Sequence, residues 1–315
     1  MVKSPTPPSL IILAPLSYQA WARAKPEPMT LDSCAFAAGA ALYALHGPAC
    51  DPQPWGLLWR QRLALMQAAA ITKLQGRHED ASDLRDALIL RRAHDDPGPA
   101  GRVLQAWRAL ADPLAADPEN WLALLAPLQL KLEPHWPQLL EAAKTLILAP
   151  SPPIAAAAQI AAIAMQQRPD APALALWLAD AVLAKKLGFW IAPVPLLAAA
   201  VSRKALYGSS NHLAGDNGLW LQSCYHAYAR AGAEATDLYA DLGRRAQRLL
   251  AAAPQLRARD ADGTIARFLS EDALAPSDAA HLRSERSGRR LCERLVELGV
   301  VRELTGRATF RLYGL

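Results

Sequence analysis

The chain has 315 residues, with 34 Lys and Arg against 29 Asp and Glu, 52% apolar residues and only 6% aromatic ones. That length buries ample core for one large or two modest domains, and 20% charged residues argue against wholesale disorder. Alanine fills 66 positions, and as the strongest helix former it makes a mainly α protein the expectation.

Cys34, Cys50, Cys224 and Cys292 lie far apart with no Cys-x-x-Cys pair. Zinc fingers and disulfide frameworks need closer, repeated spacing, so reduced thiols in a cytoplasmic protein are expected. Lys3 is the only early charge and Pro15 breaks the apolar run 10–16, so no signal peptide is expected. The longest apolar stretches, 146–165 and 187–201, carry Pro150, Pro152 and Pro153, and Pro193 and Pro195. Both read as buried helices rather than membrane spans, and no membrane partner is expected.

In chain order, the proline-rich residues 1–30 read as a partly ordered N-terminal arm. Thr30 caps a helix over 31–45 that Gly47-Pro48 stops, and 55–74 is a long helix ended by Gly76. Helices follow over 78–92 and 101–111. The next has Asp117 as cap and Pro118 at its first position, and helices over 137–148 and 154–167 flank the Pro150–Pro153 break. The series continues with 173–187, ended by Gly188, then 219–231 and 234–253. Trp55, Trp59, Trp107, Trp177 and Trp190 fall on apolar faces and belong in the core. No constant repeat period is present.

After Ala261 the pattern changes. A helix over 264–274 is followed by Pro276-Ser277, then by a helix from the N-cap Ser284 to Leu298, with Gly299 in the C′ position. Strands are expected over 300–304 and 308–313, joined by the short turn Thr305-Gly306-Arg307. The fold class is therefore mainly α: a multi-helix domain over 31–255 and a winged helix-turn-helix with a small β-hairpin wing over 256–315.

Net charge is +5, and residues 281–315 hold eight Arg against four Glu. Arg286, Arg290 and Arg294 recur every fourth residue on one helical stripe, beside an apolar stripe of Leu291, Leu295 and Leu298. In a winged helix the first half of such a helix enters the major groove, so Arg286, Arg289 and Arg290 are candidates for phosphates or guanine edges. Arg294 extends the stripe, Ser284 and Ser287 add short donors, and Arg307 marks the wing tip. DNA is thus the candidate partner. The alternatives are a winged helix that docks a protein, and a solvated face on which Glu285, Glu293 and Glu297 pair with the arginines. A single basic element is usually duplicated, so a homodimer is expected.

Signals for chemistry are weak. His78-Glu79-Asp80 and His94-Asp95-Asp96 offer metal-type donors, but helix capping and surface pairing explain them more simply. Cys224 and His226, the second pair considered with His212, stand two apart on a helix and diverge. There is no P-loop, G-x-S-x-G or H-E-x-x-H, and neither a catalytic residue nor a cofactor is assigned.

Three segments carry a family likeness: Trp59-Arg60-Gln61-Arg62-Leu63, Leu84-Arg85-Asp86-Ala87 leading into 95–102, and the closing 301–315. They resemble the alphaproteobacterial domain of unknown function 1403, over nearly the whole chain from about Leu31. The resemblance implies a protein of rhizobial or agrobacterial genomes and their plasmids, with no established activity. The stretch 289–307 is also similar to the winged helix that follows the catalytic part of Fic-type proteins, but the Fic catalytic loop is absent. The function expected is a non-enzymatic DNA-binding regulator or maintenance factor of a mobile replicon. The alternatives are an assembly subunit that docks a protein, and an enzyme with a pocket among 78–102 and 208–226.

Overall fold

The computed structural model describes residues 17–25, 29–91, 95–189, 191–207, 217–256, 261–278, 285–307 and 309–315. Among them are thirteen α-helices and one two-stranded antiparallel sheet at the C-terminal end.

Helix α1 (Leu31–Cys50) starts where Thr30 accepts a hydrogen bond from the Ser33 amide at 3.2 Å, the cap expected. It does not stop at Gly47-Pro48 but runs through Pro48 to Cys50. One turn from a helix end a proline sacrifices only one hydrogen bond. Here the buried Arg60 guanidinium also closes the end, donating to the Ala49 carbonyl at 2.6 Å and the Gly56 carbonyl at 3.3 Å. Helix α2 (Gly56–Leu74) ends as predicted, with Gly76 at φ 76°. Helix α3 (Ala81–Ile89) begins later than His78 because Asp80 and Asp83 form a reciprocal capping box.

Helix α4 (Gly98–Leu110) follows. Asp117 then caps a 3-10 turn over Pro118–Asn120 that leads into α5 (Trp121–Leu125). Helices α6 (Trp136–Leu148), α7 (Pro153–Gln167) and α8 (Pro172–Leu187) match their predicted spans closely, and Gly188 ends α8 at φ 69°.

The reading of 187–201 as a buried helix is corrected: among its described residues past the end of α8 at Leu187, α9 (Leu197–Ala200) alone is helical. Pro193 and Pro195 interrupt the stretch, and the fully buried Asp180 of α8 holds the chain out of helix. Its carboxylate accepts from the Leu196 amide at 2.8 Å, the Leu197 amide at 3.1 Å and the Tyr228 hydroxyl at 3.0 Å. After α10 (Arg203–Tyr207), the predicted helices 219–231 and 234–253 are one helix, α11 (Asn217–Ala252). Gly232 is not a breaker but a contact point: a Cβ there would lie 3.1 Å from the Ala41 Cβ, so it lets α11 lie close along α1.

Helix α12 (Ala261–Ser270) ends earlier than predicted, because Leu274 is drawn into a β-bridge with Tyr313 through hydrogen bonds of 2.8 and 2.9 Å. A 3-10 turn at Pro276–Asp278 and α13 (Glu285–Glu297) follow. Gly299 sits at φ 68° in a Schellman ending: Val300 N–H donates to Leu295 O at 3.1 Å, and Gly299 N–H to Val296 O at 2.9 Å. Ser284, the predicted cap, lies outside the described residues.

Strands β1 (Arg302–Glu303) and β2 (Tyr313–Gly314) pair Arg302 with Gly314 and Glu303 with Tyr313. The predicted three-residue turn is therefore corrected to a long loop, closed by Leu304 N–H donating to Leu312 O at 2.8 Å. The cause is Glu303. Its carboxylate accepts from the Thr305 amide at 2.8 Å, the Gly306 amide at 3.0 Å and the Thr305 hydroxyl, which turns the chain before the strand can continue.

Helix α8 is buried along almost its whole length, flanked by α6, α7, α9 and α4. Trp55, Trp59, Trp107 and Trp177 are buried as expected, and Trp190 lies outside the described residues. The same hydrophobic cluster includes Phe268, Leu291, Leu295, Tyr313 and Leu315. Of the predicted N-terminal arm, Tyr18 and Ala22 are buried against Ala41 and Ala233, and Arg23 pairs with Asp237; residues 1–16 and 26–28 lie outside the described ones.

Candidate functional site

Helix α13 is amphipathic in the way its sequence predicts. Leu291, Cys292 and Leu295 are buried, and burial pushes the Cys292 thiol up to about 12, so it is inert packing. Arg286, Arg289, Arg290 and Arg294 are exposed on the opposite face, and Ser287 is half-buried at its edge. Glu293 and Glu297 lie among them, and the Arg294 guanidinium is 2.9 Å from the Glu297 carboxylate. Arg307 does not stand free at a wing tip: its guanidinium is 3.3 Å from Asp86 of α3. Arg85 beside it donates to the Leu304 carbonyl at 3.3 Å. Both contacts draw the β1–β2 loop down onto the helical body, where Leu304 and Leu312 pack with Ile89 and Leu90.

This docking leaves a cleft of about 530 Å³ between the end of α3, α13 and the loop. Arg91, Arg289, Arg311, Glu293, Phe310 and Tyr313 are among its lining residues. Of these, sequence reading singled out only Arg289 as a site residue. Arg91 and Arg311 belong to segments far apart in the chain; their advance signals were membership of two of the three family-like segments and, for Arg311, a place among the eight arginines of 281–315.

Those three segments meet in space. Arg62 of α2 is 2.5 Å from the buried carboxylate of Asp272, and donates to the Asp272 and Leu315 carbonyls at 3.4 and 3.5 Å. Gln61 accepts from the Asp272 amide at 3.3 Å. A Cβ at Gly314 would lie 2.8 Å from the Asp272 carbonyl, so only glycine passes there without displacing backbone. Residues 59–63, 84–91 and 302–315 thus form one joint between the helical body and the C-terminal segment.

The other constellations have structural uses. Asp80 caps α3, Glu79 pairs with Arg77, and Asp96 accepts from the Gly98 amide while pairing with Arg102 at 2.6 Å. His94 and His212 lie outside the described residues, and Cys224 is buried while His226 faces the Lys25 carbonyl at 3.2 Å. Among the described residues no three His, Cys, Asp or Glu side chains come together to hold a metal ion, and no helix is long and apolar enough to cross a membrane.

Architecture and site define a mainly helical protein closed by a small antiparallel hairpin, with a basic helix beside it. The chain belongs to the family described as "Protein of unknown function (DUF1403)", whose model matches residues 14–315. No curated protein matches it.

Proposed function

We infer that 261–315 is a winged helix and that the exposed face of α13 binds duplex DNA. The connectivity supports the first half. A helix, a bridge strand at Leu274, a short turn, a second helix and two strands follow one another, and Tyr313 bonds to Leu274 on one side and pairs with Glu303 on the other. The observation that carries the second half is the exposed row Arg286, Arg289, Arg290 and Arg294 opposite a fully apolar face. Guanidiniums repeated along one helix face match the spacing of phosphates beside a major groove. Such a protein acts by binding, as a regulator or a maintenance factor of a replicon.

The second reading, protein docking, draws on Glu293 and Glu297, which interrupt the basic face. Fluorescence anisotropy with random duplex DNA across a salt series separates the two. DNA binding predicts a steep salt slope that falls by roughly one unit for each arginine removed in Arg286→Ala and Arg290→Ala. Absence of binding by the folded wild type at low salt would overturn the DNA reading.

A further inference from the structure

The cleft beside α13 gathers side chains that no single element supplies. Arg91 comes from the end of α3, Arg289 and Glu293 from α13, Arg311 and Phe310 from the β1–β2 loop, and Tyr313 from β2. Main-chain carbonyls fix two of the guanidiniums: Arg91 donates to Asp95 O at 2.7 Å, and Arg311 to Arg307 O at 3.0 Å. Planar forks held in this way suit the oxygens of a phosphate group.

Glu293 is the one acid among the lining residues, and a carboxylate set among arginines is complementary to a ligand that also brings hydroxyl or amine donors. The Tyr313 hydroxyl is buried beside Arg311 and finds no acceptor among the described residues. Phe310 adopts a left-handed φ of 55° and yet is 73% exposed. A bulky side chain rarely takes that conformation, and here no burial repays it, so the ring is a stacking face held ready beside the arginines.

We propose that this cleft binds a nucleoside 5′-monophosphate, with its phosphate on Arg91, Arg289 and Arg311, its base against Phe310 and its sugar hydroxyls toward Glu293. The volume lies within the range of small-molecule sites. The same group is presented by a free nucleotide and by the 5′-phosphorylated end of a strand. The inference stands apart from duplex binding, since Arg286 and Arg290 do not line the cleft.

Calorimetric titration of the full chain tests it, with AMP, adenosine, inorganic phosphate, and a short single strand with and without a 5′-phosphate. The expected result is saturable AMP binding that Arg311→Ala and Phe310→Ala each weaken by about tenfold or more, while Arg290→Ala leaves it unchanged. Adenosine and phosphate alone bind at least about tenfold more weakly than AMP, because each meets half of the site. Binding of the phosphorylated strand about tenfold or more tighter than of the same strand without its 5′-phosphate supports the proposal with a strand end as ligand, and saturable AMP binding with equal binding of the two strands supports it with a free nucleotide. The proposal is overturned if cooperatively melting wild type binds neither AMP nor the strand's 5′-phosphate, or if both variants bind AMP as the wild type does. Phe310 is exposed, so Phe310→Ala keeps the test decisive even where Arg311→Ala fails to fold.

Discussion

Asp180 is the residue on which the irregular segment before α9 depends. Burial pushes its carboxyl up to about 7, against the lowering effect of the Leu196 and Leu197 amides and the Tyr228 hydroxyl. A group whose folded pKa is raised contributes most below its unfolded value, and that contribution fades as pH climbs through the folded value. Denaturant midpoints should therefore fall between pH 5 and pH 8. Asp180→Asn should flatten that fall: an amide can keep its carbonyl toward Leu196 and Leu197 and donate to Tyr228, with no charge to bury. An unchanged pH slope in the variant would sink the assignment. Sequence gave no hint of this residue, because an Asp in an apolar helix reads as surface until the helix is known to be enclosed. Arg307 shows the converse: its place in the hairpin loop was legible, its contact with Asp86 was not.

Among the elements, helices with strong local signals were readable nearly to the residue. Thr30, Asp117, Gly76, Gly188 and Gly299 all act through short-range backbone geometry, which the sequence carries directly. Errors arose where a contact from elsewhere overrode the local signal. Gly232 reads as a break, yet Ala41 of α1 makes it a close-approach position inside a 36-residue helix. Gly232→Leu should consequently destabilise the fold by about 1–3 kcal/mol, as overpacking does, measured by urea unfolding. The β1–β2 loop makes a second test. The Arg307–Asp86 pair is more than half exposed on the arginine side, so Arg307→Ala should change global stability by less than about 1 kcal/mol. Amide exchange over 304–312 should nevertheless quicken, because the loop loses a tether; unaltered exchange would show that apolar packing alone holds it.

For the whole molecule, the joint formed by residues 59–63, 84–91 and 302–315 matters most. Asp272 is buried with Arg62 against it and Arg108 near it, so Arg62→Ala strips the carboxylate of its contacting guanidinium and should cost about 3 kcal/mol. Tyr313, Leu315 and Phe268 share a hydrophobic cluster with the helical body. Urea unfolding followed by tryptophan emission, which reports only on residues 21–220, should therefore coincide with unfolding followed by far-ultraviolet circular dichroism. Two separated transitions would show that the C-terminal segment folds on its own.

The sequence by itself determined the helical class, most helix limits, the tryptophan core and the two faces of α13, because propensity, capping and amphipathic period are local properties. Only the tertiary structure decided that Arg307 turns inward, that Asp180 is buried and that Arg91, Arg289 and Arg311 share a cleft. Each of these depends on residues brought together from distant parts of the chain, and no local pattern encodes which distant side chain will be waiting there.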